Sequence, residues 1–314
     1  MKTKLNSAVA VKTGGGLLAV VLAPGVVHAC ACGCGVFDMG TSSMFPDGQG
    51  GMAFLSCAYQ DQSRNWSGTS QASAANNDDK AIRTDFFSLG LQYMFNSNWG
   101  VQAQLPFAYR YFKTTDANTG GIVSTTWGSV GDMLVEGIYT GFFADQSVGV
   151  SFGLKLPTGN DNYNPSMVDR DSQIGSGSTD VVLGGFYRGN LPADEKWDWF
   201  AQTKLDVPTL IQAGYRSGVE LDSAAGIDYK GFSLGGVRIS PVARAIFSCR
   251  SKDSGVNAAS ADSCYERLLL SSSVEFHVQL VKIYTDVELP VFQNVNGNQL
   301  VARVMSKVNL SDMF

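Results

Sequence analysis

From about residue 50 to its last residue, this chain alternates apolar and polar side chains over stretches of ten or more residues. Residues 281–291 show the pattern best. Val281, Ile283, Val287, Leu289 and Val291 fall on one side of an extended chain, and Lys282, Asp286 and Glu288 on the other. Successive side chains of a β-strand point to opposite faces, so such a segment has one oily and one charged face. Residues 99–111 repeat it, with Trp99, Val101, Leu105, Phe107, Tyr109 and Tyr111 opposite Gln102, Gln104 and Arg110. So do residues 197–207 and 219–229. Helical periodicity is nowhere sustained. A chain built this way must find a home for an oily face along every strand.

Twelve such segments can be counted, at about 50–60, 81–95, 99–113, 129–143, 147–156, 179–190, 196–207, 218–229, 232–247, 266–278, 281–292 and 299–312. Their connections alternate. Long polar stretches (61–80, 114–128, 157–178, 248–265) follow odd-numbered segments, and short turns such as Asn96-Ser97-Asn98 and Ala144-Asp145-Gln146 follow even-numbered ones. A soluble β-sandwich also alternates, but its strands usually run about 5–6 residues and its oily faces are hidden. Longer strands with Tyr and Trp near their ends, an even count and loops of alternating length are the pattern of a transmembrane barrel. The expected fold is therefore all-β: a single transmembrane antiparallel β-barrel of about 12 strands, with long extracellular loops, short periplasmic turns and both termini in the periplasm.

The N-terminus reads as a targeting segment. Lys2, Lys4 and Lys12 precede a short apolar run at 14–27, and Val27-His28-Ala29 gives a small-x-small cleavage pattern. About 14 apolar residues are too few for the ~20 that span a bilayer as a helix. The expected domains are a cleaved signal peptide at 1–29, a Cys-rich periplasmic tail at 30–48 and an outer-membrane barrel at 49–314. Removing the three lysines takes the formal charge from −5 to −8. Charged residues are 16% of the chain, below the roughly 25% of soluble domains. An acidic chain of this kind is not built for nucleic acid.

If the apolar faces meet lipid, the opposite faces line a lumen. The expected lining includes Arg110, Lys155, Lys204, Arg238, Arg244, Lys282, Arg303 and Lys307, and against them Asp132, Glu136, Glu220, Asp222, Glu275, Asp286 and Glu288. Over all inward positions ten cations face eleven anions. A single-signed interior would focus counter-ions and select by charge, whereas a balanced one invites ion pairs and a narrow or closed path. His277 is the one histidine after residue 28 and is expected on the lumen wall. With one histidine and no serine in a G-x-S-x-G setting, the chain is not expected to be an enzyme.

The six cysteines fall into three groups. Cys249 and Cys264 bracket a polar loop, and in an oxidising compartment a disulfide between them is expected. Cys57 lies inside the first strand as a small apolar residue. Cys30, Cys32 and Cys34 form a C-x-C-x-C run that does not easily close on itself. Its thiolates could hold Cu(I) or Zn(II), with Met39, Met44 and Met52 nearby. The other readings are lipidation at Cys30, a bond to Cys57, or exchange with a periplasmic thiol or metal-handling protein. No cofactor is otherwise required.

Leu154-Lys155-Leu156-Pro157-Thr158-Gly159-Asn160, followed by Gly175-Ser176-Gly177-Ser178-Thr179-Asp180, resembles a pattern of one group of outer-membrane barrel transporters, the family of the phenol-degradation MetA-pathway type. Leu289-Pro290-Val291-Phe292-Gln293-Asn294-Val295-Asn296-Gly297-Asn298-Gln299-Leu300 resembles a hairpin near the end of similar barrels, with Phe292 in place of the commoner Tyr. Phe314, preceded by Leu310 and Val308, resembles the terminal strand that barrel-assembly machinery recognises, although Asp312 departs from it. The resemblance implies an outer-membrane channel or transporter for a small solute, with hydrophobic or aromatic molecules as candidates. The rival expectation is a barrel-anchored scaffold whose C-x-C-x-C tail recruits a metal or a redox partner.

Overall fold

In the computed structural model of the 314-residue chain, the described residues are Pro46, 48–116, 118–191 and 195–314. The expected signal segment and Cys30, Cys32 and Cys34 lie outside them. Fourteen extended segments follow: β1 (Gly50–Gly68), β2 (Ser70–Gln71), β3 (Asp79–Met94), β4 (Trp99–Thr115), β5 (Ile122–Val130), β6 (Met133–Tyr139), β7 (Val148–Leu156), β8 (Asp180–Asn190), β9 (Trp197–Pro208), β10 (Glu220–Tyr229), β11 (Phe232–Leu234), β12 (Val237–Arg250), β13 (Tyr265–Val278) and β14 (Val281–Met313). Each main strand pairs antiparallel with its neighbours, β10 pairs with β12, and β14 returns to β1. The sheet is a closed barrel.

Two details set the number of staves. β5 pairs with the outer half of β4 and β6 with its inner half, so the two form one stave interrupted at Gly131 and Asp132. β14 is one continuous extended run, yet its first half pairs with β13 and its second with β1. The Met313 amide also donates to the Leu280 carbonyl at 3.3 Å, although 33 residues separate them. β14 is therefore a hairpin, turning where Gly297 adopts φ +60°. Counted so, the ring has twelve staves, the even number that alternating directions around a closed barrel demand. A closed ring leaves no unpaired edge, the condition for backbone to cross lipid.

The strands run further outward than the sequence pattern suggests. β1 continues to Gly68 and β5 begins at Ile122, both inside stretches expected as loops. On the outside, Leu89, Leu91, Val101, Leu105, Phe107 and Leu289 are each 41–62% exposed. Near the short turns, Trp99 packs on Tyr139 at 4.7 Å, Tyr187 on Trp199 at 4.5 Å and Trp197 on Tyr229 at 5.2 Å. These pairs form an interfacial aromatic girdle. From Trp99 to Tyr109 is ten residues, which at ~3.3 Å each and a tilt near 40° gives ~25 Å, the height of an outer-membrane apolar band.

The closing seam lies at the two ends of the barrel chain. Gly51 and Phe314 exchange backbone hydrogen bonds at 2.8 and 2.9 Å. A side chain at position 51 would strike the Phe314 ring, at 2.4 Å from its Cβ. Just before β1, the Gly48 amide donates to Gln146 Oε1 at 2.8 Å. The chain thus enters the barrel along the short-turn rim.

Candidate functional site

The inward faces carry most of the expected charges. Arg110, Asp132, Lys155, Lys204, Glu220, Asp222 and Lys307 line one lumenal cavity of about 250 Å³. Arg238, Glu275 and His277 line a second, of about 460 Å³, at the short-turn mouth. Glu136, Arg244, Asp286 and Glu288 are buried in the wall, and Lys282 is half-buried opposite His277. Arg303 is the exception. The pairing of β1 with β14 slips where Gln60 faces Met305 and Gln62 faces Ala302. That bulge turns Arg303 to an exposed position, out of the expected lining. A bulge adds a residue to one strand and so breaks the inward–outward count.

The near balance of charge is resolved into ion pairs. Lys155 lies 2.5 Å from both Asp180 and Asp206. Arg244 pairs with Asp286 and, at 2.9 Å, with Glu288, while Ser273 donates to Asp286 at 2.9 Å. At the short-turn mouth His277 contacts Glu275 and lies 2.9 Å from Arg238. His277 is a wall residue of this cluster. Beside it, the Ser147 hydroxyl and amide hold the Asp145 carboxyl below its ordinary value.

The lumen is not uniformly polar, which is where the sequence reading falls short. Inward positions also carry Phe200, Val242 and Tyr284 near the short-turn end. A second apolar group includes Ile246, Leu269 and Met305, and a third holds Ile82, Phe112, Trp127 and Leu300. Phe112 shares the inward parity of Arg110 and is legible as an apolar lumen residue. Trp127 lies in a stretch read as loop, so its side could not be assigned.

Residues 157–178 fold into the barrel instead of standing above it. Asp132, at the break between β5 and β6, accepts from the Gly159 amide at 2.9 Å and the Ser176 amide at 2.7 Å. The Thr158 hydroxyl donates to Gly131 O at 2.9 Å and accepts from the Met133 amide at 2.9 Å. Pro157-Thr158-Gly159 and Gly175-Ser176 thus form a clasp on Asp132, which is a loop anchor and not a free wall charge. Gly159 and Gly175 lie back to back: a Cβ on Gly175 would come within 2.4 Å of the Gly159 carbonyl carbon.

Between the clasp ends the loop is braced. Gln173 accepts from the Tyr163 amide at 2.8 Å and donates to the Tyr163 carbonyl at 2.9 Å and the Val168 carbonyl at 3.2 Å. Arg110, 1% exposed, donates from Nη1 to the Ser172 carbonyl at 2.7 Å and from Nε to Thr84 at 3.0 Å. Arg170 reaches Asp161 at 2.9 Å and stacks over Tyr215, whose hydroxyl donates to Asp253 at 2.8 Å. Three outer loops are thereby tied over the lumen.

The structure does not show the expected bond between Cys249 and Cys264. Cys249 lies opposite Glu266 in the β12–β13 register and shares the outward parity of Phe247, whereas Cys264 is fully buried beside Tyr265 and Val295. Cys57 is half-buried on the outward parity of β1. Among the described residues no His, Cys, Asp or Glu group could hold a metal ion.

A closed antiparallel barrel with an oily outside, an aromatic girdle and a polar, partly plugged inside defines a bacterial outer-membrane barrel. Solved structures agree. An outer membrane channel from Pseudomonas putida F1 is similar over 85% of this chain and 96% of its own, at 15% identity and TM-score 0.60. The transport unit of the autotransporter AIDA-I from Escherichia coli is similar over 88% and 94%, at 10% identity and TM-score 0.50. No family model and no curated protein matches the sequence.

Proposed function

We propose that the protein is an outer-membrane channel for a small solute, closed at rest by the inward loop 157–178. The observation that carries this is the cavity of about 250 Å³ beneath that loop. Its lining mixes apolar Phe86, Pro106, Ala108, Leu134 and Ile174 with charged Arg110, Asp132, Lys155, Asp206, Glu220 and Lys307. Cavities of about 150 Å³ hold benzene when lined by apolar groups, so a single-ring molecule with a polar substituent suits this one. The ion pairs leave little net field along the wall and disfavour selection by charge alone. The channel from Pseudomonas putida F1 shares this fold and supports the reading at that level.

The test is passage of p-cresol into proteoliposomes made with the refolded mature protein, alongside planar-bilayer conductance. Uptake above that of protein-free liposomes supports a channel. A barrel that passes neither p-cresol nor ions leaves anchoring as its role. In that case a scaffold built on Cys30, Cys32 and Cys34 would take its place, tested by Cu(I) binding before and after their replacement by serine.

A further inference from the structure

Above the cavity, Ile82, Phe112, Trp127 and Leu300 are brought together from β3, β4, β5 and β14, and none is more than 6% exposed. They form an apolar socket in the wall. Tyr163 of the loop stacks on Trp127 with centroids 4.7 Å apart and planes 10° apart, its hydroxyl 3.0 Å from Thr125. What fills the socket is Val168, 1% exposed, at the tip of the braced loop. One feature is out of keeping with a purely structural contact: the Trp127 indole N–H is buried without a hydrogen-bond acceptor. Buried polar groups are ordinarily paired, and an unpaired one calls for a reason.

We propose that this socket is a binding site for a small aromatic molecule bearing one hydrogen-bond acceptor, and that Val168 occupies it at rest as an internal stand-in. The ring of the solute takes the space of the valine between Phe112 and Trp127, and its acceptor receives the idle indole proton. Binding and loop docking then exclude one another. Solute in the socket displaces Val168, and the loop moves as the unit that Gln173 braces. The apparent affinity of the site is lowered by the fraction of time the valine is seated. This rests on the channel reading and gives it a solute class and a gate.

The experiment compares acetophenone with α-methylstyrene, which replaces the carbonyl oxygen by a methylene group. Binding is measured by equilibrium dialysis against the refolded mature protein in nanodiscs, with empty nanodiscs as baseline. Val168→Ala, which vacates the socket, is expected to tighten both ligands about ten-fold. Val168→Thr keeps the shape, sets a hydroxyl against the apolar wall, and is expected to tighten both in the same sense. Trp127→Phe is expected to weaken acetophenone about five-fold and to leave α-methylstyrene unchanged, as loss of one hydrogen bond predicts. Folding of each variant is checked by its heat-shifted migration in detergent gels. Unchanged affinities in both Val168 variants, or equal weakening of the two ligands by Trp127→Phe, overturns the proposal. Binding as expected without p-cresol uptake in liposomes would instead overturn the channel reading and leave the site standing.

Discussion

At the scale of single residues, Pro157, Gly159 and Gly175 of the motif build the clasp of the inward loop. Gly159 and Gly175 press backbone against backbone under Asp132, so Gly175→Ala must push the two strands of the clasp apart. Overpacking of this kind costs about 1–3 kcal/mol. The expected outcome is an undocked loop on an intact barrel, seen as faster proteolytic cleavage within 157–178 with unchanged heat-shifted migration. Arg244 is a different case. Its guanidinium is buried with Asp286 and Glu288, and removing one partner of such a set leaves charge unpaired at a cost of about 3–5 kcal/mol. Arg244→Met should lower the urea midpoint of barrel unfolding accordingly. Combining it with Asp286→Asn and Glu288→Gln should restore most of the loss, because the stranded charges are then gone. A triple variant as unstable as the single one would show that the network is held by shape and not by charge.

At the scale of elements, strand parity was legible and loop fate was not. Alternation placed Trp99, Val101, Leu105 and Tyr109 outside and Arg110 inside, because period two leaves no other choice once one face must meet lipid. The Asn296-Gly297 turn and the even stave count followed from local chemistry. Arg303 and Trp127 escaped, since a bulge and a strand hidden in a polar stretch leave no periodic trace. The inward fold of 157–178 also escaped, because its ties run to distant residues such as Arg110. That loop carries a pH signature. Asp169 keeps surface exposure, but crowding by the surrounding protein and then the Asp78 charge lift its carboxyl above the ordinary value. An acid lifted in the docked state favours docking when protonated. Docking should therefore be strongest below the ordinary carboxylate value near ~4 and weaken as pH climbs from there to the raised value. Proteolysis of the loop at a series of pH values should show this rise in susceptibility, and Asp169→Asn should flatten it. A wild-type profile without slope would remove Asp169 from the account.

At the scale of the whole molecule, a finished wall surrounds an interior into which one loop is docked. The twelve staves close without the loop: none of the ladder pairings runs through residues 157–178. Its two ends also meet, with Gly175 Cα only 2.6 Å from where a Cβ on Gly159 would stand. Deleting 161–173 and bridging with glycine is thus geometrically mild, and shortening the connection changes its closure entropy little. The socket would then be open above the cavity, with Arg110 freed from its two carbonyl partners in the loop. The expected outcome is a barrel of near wild-type stability with conductance steps several-fold larger or more frequent than those of the intact protein. Faster p-cresol uptake should accompany them if the loop is the resting barrier. Equal conductance in both forms would place the barrier lower, at the layer of Phe200, Val242 and Tyr284. Phe200→Ala in the deleted background would then be the variant to raise it, since that ring is buried and lines the cavity at the short-turn mouth.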